Sequence, residues 1–522
     1  MAAGGFFRSV LRAFIGAAGL TFCGAVVACT SEARNPADPH AEPVSLRTGH
    51  VQFNRQDSLY GFQQVARYLS FEPVVRNGRD GRVAPRLAES WTLSADGTVL
   101  TFRIRRGAKF HDGSPVDATA IETSLKRTLA NQQERSQAPA FSHIVAIETT
   151  EAGEVAITLR RRSTFFLEDL GTVAIAKVNK ANEQIGTGPF VIQNSDPNEE
   201  LTMSRFEEYD EGVSAVDEII WTGYRDLRSA WTAMMRGEVD FLYEVGQDAV
   251  DFVDRESSVA TFSFLRPYPI GLMFNSARGP LAGQRIRQAL NFAIDRELIL
   301  EHALRGRGIV ASTPVWPRHW AYDRTIRGYA YDPSRAMALL DTALGPAGTP
   351  SGGRQVRLTF TCLLPDDFAS WERMALLVQK QLFAVGVDMK IEAVPAQEFN
   401  RRVQRGDFDA VFGEVNSGPP LARPFIFWYS SGEFNLFGFK NRSVDEAFDR
   451  IRDATTDLEY QAGVRQLQES LLLDPPGAFL VWPETTRAVS RRFDVPSEQD
   501  RDILSSVSRW QVVRSAAAQD SN

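Results

Sequence analysis

The sequence predicts an α/β protein with more than one core, and three observations predict it. Segments with strand and helix periodicity alternate along most of the chain. The length, 522 residues, exceeds what one compact core accommodates. One short phrase also occurs twice, as RGEVDFLYE from Arg236 and RGDFDAVFGE from Arg405. In each copy a cation and a glycine stop a helix, and an aspartate then opens a buried apolar run.

The first element is an address and not part of the fold. Residues 1–28 carry Arg8 and Arg12, then an apolar run of Ala13–Ala28 that is short for a membrane span and suits a signal peptide. Val26-Val27-Ala28-Cys29 resembles a bacterial lipobox, which makes Cys29 the lipidated mature N-terminus; the alternative is an ordinary signal peptide cleaved nearby. Cys23 leaves with the peptide, so Cys362 stays as a lone thiol and no disulfide staples the fold. Residues 29–43, with three prolines, read as a flexible tether, and residues 515–522 as a disordered tail.

Beyond the tether, VLTFRIR (99–105) alternates Leu100, Phe102 and Ile104 against Val99, Thr101 and Arg103, a strand with one buried face. VAITLRR (155–161) repeats that pattern. DLRSAWTAMMRG (226–237) and AQEFNRRVQRG (396–406) read as the helices that the repeated phrase terminates. Residues 285–304 place Ile286, Leu290, Ala293, Ile294, Leu298 and Ala303 on one stripe of a single helix. RQVRLTFTCLL (354–364) is a strand after the Gly/Pro loop GPAGTPSGG, and WERMALLVQKQLFAV (371–385) is a helix that Gly386 ends before the strand VDMKIEAV.

The chemistry of the composition narrows the function. Net charge is −7, and without residues 1–28 it loses two more cations; no basic block favours nucleic acid. HExxH, GxSxG, GxxxxGK and CxxC are all missing, and the six histidines are scattered, so neither an enzyme nor a dedicated metal site nor a cofactor is expected. In KFHDGSPVDA, His111 reads as a turn residue and Asp117 as the cap of a helix from Ala118. Asp295-Arg296 reads as an ion-paired helix surface.

Several blocks together resemble the family 5 solute-binding proteins of ABC importers, the oligopeptide, dipeptide and nickel receptor group. They are PRLAESWTLSADGTVLTFRIRRGAKFHDGSPVDATAIETSLKR (85–127), GTGPF (186–190), MFNSARGPLAGQRIRQALNFAIDRELI (273–299), YDPSRAMALLD (331–341) and GDFDAVF, in the family's order over about 45–500. The resemblance implies a two-lobed periplasmic-binding-protein fold, a type II-like clamshell of cluster C. Lobe I maps to 44–268 plus 480–514 with an extra subdomain at 79–185, and lobe II to 269–479. The hinge falls near Arg266–Gly271 and Phe479–Pro483. It further implies a monomer, lipid-anchored in the bacterial envelope, that delivers a small-molecule or peptide ligand to an ABC permease and ATPase complex. The alternatives are an envelope ligand sensor or chaperone-like lipoprotein and a nickel-chelate receptor.

In peptide-binding relatives a Trp and an Asp shortly after the "gdfDa" strand hold the peptide backbone and its ammonium. Here Val415 stands at the first position and Gly418 near the second, which puts simple peptide import in doubt and leaves Glu414 as the closest acid. The candidate ligand residues on this side are Phe412, Glu414, Asn416, Ser417, Arg423, Trp428 and Tyr429, a polar cluster followed by aromatics that suits a modified peptide or a sugar face. Facing them are Tyr243 and Glu244 from the first copy of the phrase, with Tyr268 and Trp482 at the two crossings.

Overall fold

The computed structural model describes residues 43–51, 62–136, 138–193, 201–345, 356–496 and 501–513. The expected signal segment, lipidated Cys29, tether up to residue 42 and tail from 515 lie outside them. One twelve-stranded sheet runs through both lobes. In spatial order its strands are Phe190–Ile192, Leu201–Arg205, Glu218–Tyr224, Ser45–Val51, Phe241–Val245, Gly477–Ser490, Ile270–Phe274, Ala410–Glu414, Leu358–Pro365 and Val387–Val394. Val259–Leu265 and Gly308–Val310 also pair with the long strand Gly477–Ser490. That strand is the shared member. Gly477–Pro483 pairs with second-lobe strands, and Glu484–Ser490 with first-lobe strands.

Each lobe buries its own apolar set. In the second lobe Leu272, Phe274, Phe360 and Phe412 meet Leu290, Ile299, Val378 and Leu382 of three helices on one face of the sheet. On the other face Val411 and Leu363 meet Trp428, Phe448 and Leu467. The first lobe packs Leu46, Trp221 and Phe241 against Val507 and Trp510 from the chain's end. Each such side chain withdrawn from water contributes about 1.5–3 kcal/mol. A separate antiparallel sheet of Ala88–Leu93, Val99–Ile104, Val155–Leu159 and Ile144–Thr149 makes a subdomain whose core includes Leu100, Phe102, Ile121 and Phe166.

The repeated phrase has one structural meaning in both places. The helices Leu227–Met235 and Ala396–Gln404 end at Gly237 (φ 69°) and Gly406 (φ 64°). The aspartate that follows then staples the neighbouring parallel strand. Asp240 accepts from the Arg47 amide at 3.1 Å, and Asp409 from the Thr361 amide at 2.9 Å. Each aspartate's own carbonyl accepts from a further chain segment, Ser490 in one lobe and Asn275 in the other.

The GTGPF block is a close backbone approach. Thr187 and Gly188 donate to the Ser70 carbonyl at 3.0 and 2.9 Å, and a Cβ on Gly186 would lie 2.0 Å from that oxygen. His111 completes this turn: its amide donates to Gly186 O and its ring contacts Gly188 O at 2.9 Å. Asp117 caps helix Ala118–Ala130 through the Ala120 amide.

Two expectations are corrected. The predicted single helix over 285–304 is two, Gln284–Ala293 and Arg296–Leu304, because Asp295 leaves helical geometry to cap the second through the Leu298 amide. The rotation at this break leaves Leu298 exposed. Arg296 is not an ion-paired surface residue either: it is 3% exposed and gives its hydrogens to the carbonyls of Phe479, Asn291 and Ile294 and to the Asn291 side chain.

Candidate functional site

The sheet is crossed twice between the lobes. Strand Val259–Leu265 leads through 266–269 into Ile270–Phe274, and the long strand passes the same level at Pro483–Glu484. The Arg266 amide donates to Pro483 O at 2.8 Å, tying one crossing to the other. Residues 415–418 are held against this hinge, with Val415 N on Pro269 O at 3.1 Å and Gly418 N on Pro267 O at 2.9 Å. Gly418 has φ 49°, and a Cβ there would lie 3.2 Å from Pro420 Cδ. That backbone conformation and close contact favour glycine at this position.

At the hinge the ends of the two repeated strands converge. Arg266 makes a two-pronged pair with Glu414, 2.9 Å on each side, and lies over the Tyr268 ring. Burial raises the Glu414 carboxyl above its ordinary range, the Arg266 charge pulls it back, and the charge of Glu244 across the cleft raises it again. Burial likewise raises the Tyr268 phenol, within reach of the charges of Arg266, Glu414 and Arg423. On the first-lobe wall the buried Arg487 lies 3.9 Å above the Tyr243 ring, donates to the Tyr243 carbonyl and pairs with Asp502 at 2.7 Å. Across the Trp221 ring, which meets Tyr243 on one side and His50 on the other, burial lowers His50 to about 4, so it is neutral at neutral pH.

The charges of Glu244, Arg266 and Arg423 thus act on the half-buried Glu414 and Tyr268, at the ends of the two repeated strands. Others do not join them. Phe412 and Trp428 are 0% exposed inside the second lobe's core, and Trp482 (1%) packs edge-on against Trp316. Ser417 is buried too, with no partner for its hydroxyl, while Asn416 is exposed beside it. Tyr429 points away, donating to Asp449 at 3.1 Å. The alternation of a strand and the stripe of a helix explain these aromatics as packing. Arg266 and Arg487 were not among the sequence candidates. Their sequence signal was position alone, one in each crossing strand or linker. Among the described residues no group of three His, Cys, Asp or Glu is placed to hold a metal ion.

Two lobes sharing one sheet, with a charged and aromatic cluster between them at the ends of parallel strands, define a two-lobed solute receptor. The chain belongs to the bacterial extracellular solute-binding proteins, family 5, whose middle-region model matches residues 82–435. It is 28% identical over 385 residues to the nickel-binding periplasmic protein of Escherichia coli, covering 70% of this chain and 73% of that one. It is 26% identical to a probable D,D-dipeptide-binding periplasmic protein of the same organism, covering 78% and 81%. Among solved structures, the oligopeptide-binding protein AppA of Bacillus subtilis with a nonapeptide superposes with a TM-score of 0.75 at 20% identity, over 91% of this chain and all of that one. NikZ of Campylobacter jejuni with Ni(L-His) does so at 0.75 and 21%, over 89% and 99%.

Proposed function

We propose that the protein captures a small organic solute, a peptide or peptide-like molecule with a cationic group, between lobe I (44–268 with 480–514) and lobe II (269–479), and presents it to an ABC permease. Relatives named for peptides and for nickel complexes support capture by this architecture. The observation that carries the cationic preference is the charge at the hinge. Glu414 is already matched by Arg266, and Arg487 by Asp502, which leaves the exposed carboxylate of Glu244 to face the solute. An ammonium drawn from water into a closing cleft requires such a countercharge. Glu414, the nearest acid to the position peptide receptors use, serves Arg266 first and acts on the solute through that pair. In this reading the chain performs no catalytic step, works as a monomer and is held at the membrane by lipid on Cys29.

A thermal-shift screen of free-amine peptides, their N-acetylated forms, oligosaccharides and nickel chelates tests it. Saturating free-amine peptide, at about a hundred times its Kd, should stabilise the chain by about 2.7 kcal/mol. Glu244→Gln should weaken that peptide about tenfold, a loss of about 1.4 kcal/mol, and leave the N-acetylated form unchanged. Equal binding of the two peptide forms to the wild type would sink the cationic reading; no stabilisation by any class would sink the receptor reading.

A further inference from the structure

The subdomain does not stand clear of the second lobe. Its short helix Thr164–Leu170 is driven into that lobe's core: Phe165 packs at a tilt against Phe425 with ring centroids 5.0 Å apart, and Thr164 donates to the Ile451 carbonyl at 2.9 Å. Its loop reaches the same lobe, where Trp316 Nε1 donates to Arg79 O at 2.8 Å and Arg82 pairs with Asp457 at 3.0 Å. At the centre of this contact Glu168 is 4% exposed, and among the described residues no cation lies against it. One carboxyl oxygen accepts from the Ala422 amide at 2.7 Å, and the other meets the Tyr460 hydroxyl at 2.9 Å. Both partners belong to the second lobe, and Ala422 directly precedes Arg423 of the hinge cluster.

We propose that Glu168 is a proton-operated latch, a positioning residue that fixes the start of helix Ala422–Trp428 only when the lobes are closed and takes up one proton from solvent as they close. Opening exposes this carboxyl to water, where it ionises at ordinary acidity. Closing removes it from water and offers it neutral donors, among them the Ala422 amide and the Tyr460 hydroxyl, which burial outweighs, so the acid form fits the closed site. Burial pushes Glu168 up to about 8, against the lowering effect of the Ala422 and Tyr460 hydrogen bonds.

The charged and titratable groups on the surrounding elements do not titrate in the same window. Asp169 on the same helix is raised by burial only to about 6, with the Arg423 charge opposing. His143 on the adjoining turn is lowered by burial, and Tyr460 is raised well above its ordinary value by burial and by Glu168. The charge of Arg452, on the helix behind, is raised by its pairs with Asp453 and Asp449, which outweigh burial, and it stays on. The sign follows: a carboxyl whose closed-state pKa lies above its open-state value favours closure below that pKa and loses the contribution as pH rises through it.

Small-angle scattering of the full chain across pH tests this, with the closed fraction read from the radius of gyration. The closure constant should fall about tenfold from about pH 7 to about pH 9 in the wild type. Glu168→Gln, which keeps an acceptor for Ala422, should flatten that profile. Tyr460→Phe removes a hydrogen bond that favours the carboxylate, so it should move the midpoint to higher pH. A flat wild-type profile, or a Glu168→Gln profile that matches the wild type, overturns the latch. Peptide binding measured alongside remains a separate readout, so loss of the latch leaves solute capture standing.

Discussion

Replacing Arg86 by Met is expected to cost about 3–5 kcal/mol of stability, because it strands two carboxylates that are out of water. Arg86 is 3% exposed and meets Glu72 at 2.5 and 2.7 Å and Asp210 at 2.8 and 3.0 Å. Tyr209 donates to the same Glu72 at 2.8 Å, and Thr187 of the GTGPF block reaches it at 3.2 Å. Burial alone would weaken the guanidinium's hold on its proton, but the Asp210 hydrogen bonds and the Glu72 charge raise its pKa instead. The arginine of PRLAESW therefore joins the subdomain's first strand to the stem of the first lobe. Without it Glu72, already pushed upward by burial, must take a proton to stay inside. Its folded-state pKa would then exceed its unfolded value, so the variant should lose more stability as pH rises and recover part of it in mild acid. Chemical denaturation followed by tryptophan fluorescence at two pH values measures this. A loss under about 1 kcal/mol, or one that grows in acid, would show that the cluster does not hold these parts together. Adding Glu72→Leu and Asp210→Leu should recover most of the loss, since apolar groups of similar size often replace a buried ion cluster without cost.

How much of this was legible depends on sequence distance. The repeated phrase exposed matched strand entries, because helix stop, glycine and aspartate lie within one window; the structure adds that Asp240 and Asp409 each hold a neighbouring strand's amide. The aromatics of 412–429 were ambiguous for a physical reason. A strand or helix puts alternate positions inside, and composition cannot say which face meets the cleft, so Phe412 and Trp428 were read outward and lie inward. Arg266 and Arg487 escaped because each acquires meaning only from a distant partner: Arg266 and Glu414 are 148 residues apart. Glu168 was the least visible, with partners 254 and 292 residues away and an ordinary helical neighbourhood in the sequence.

Arg296→Ala is the other change expected to be severe, and it shows why the family block at 273–299 contains the pair Asp295-Arg296. The two residues divide a labour across the helix break. Asp295 caps the second helix through the Leu298 amide at 3.0 Å, while Arg296 turns inward and fills the carbonyl acceptors that the break leaves open. It also donates to Phe479 O at 2.7 Å, in the long strand that crosses between the lobes. Among the described residues no carboxylate compensates it, and burial lowers its pKa to about 10, still charged at neutral pH. Truncation leaves at least three buried carbonyls short of a donor and opens a cavity, about 3–5 kcal/mol together. Arg296→Lys should recover under half of this, since one ammonium on a flexible stem cannot reach acceptors that a planar fork spans. The loss should appear in chemical denaturation and in faster exchange of amides flanking Phe479, because the hinge strand loses its hold on the second lobe's helices. If Arg296→Lys proved as stable as the wild type, the charge and not the fork would be what the break requires, and the block would again read as surface electrostatics.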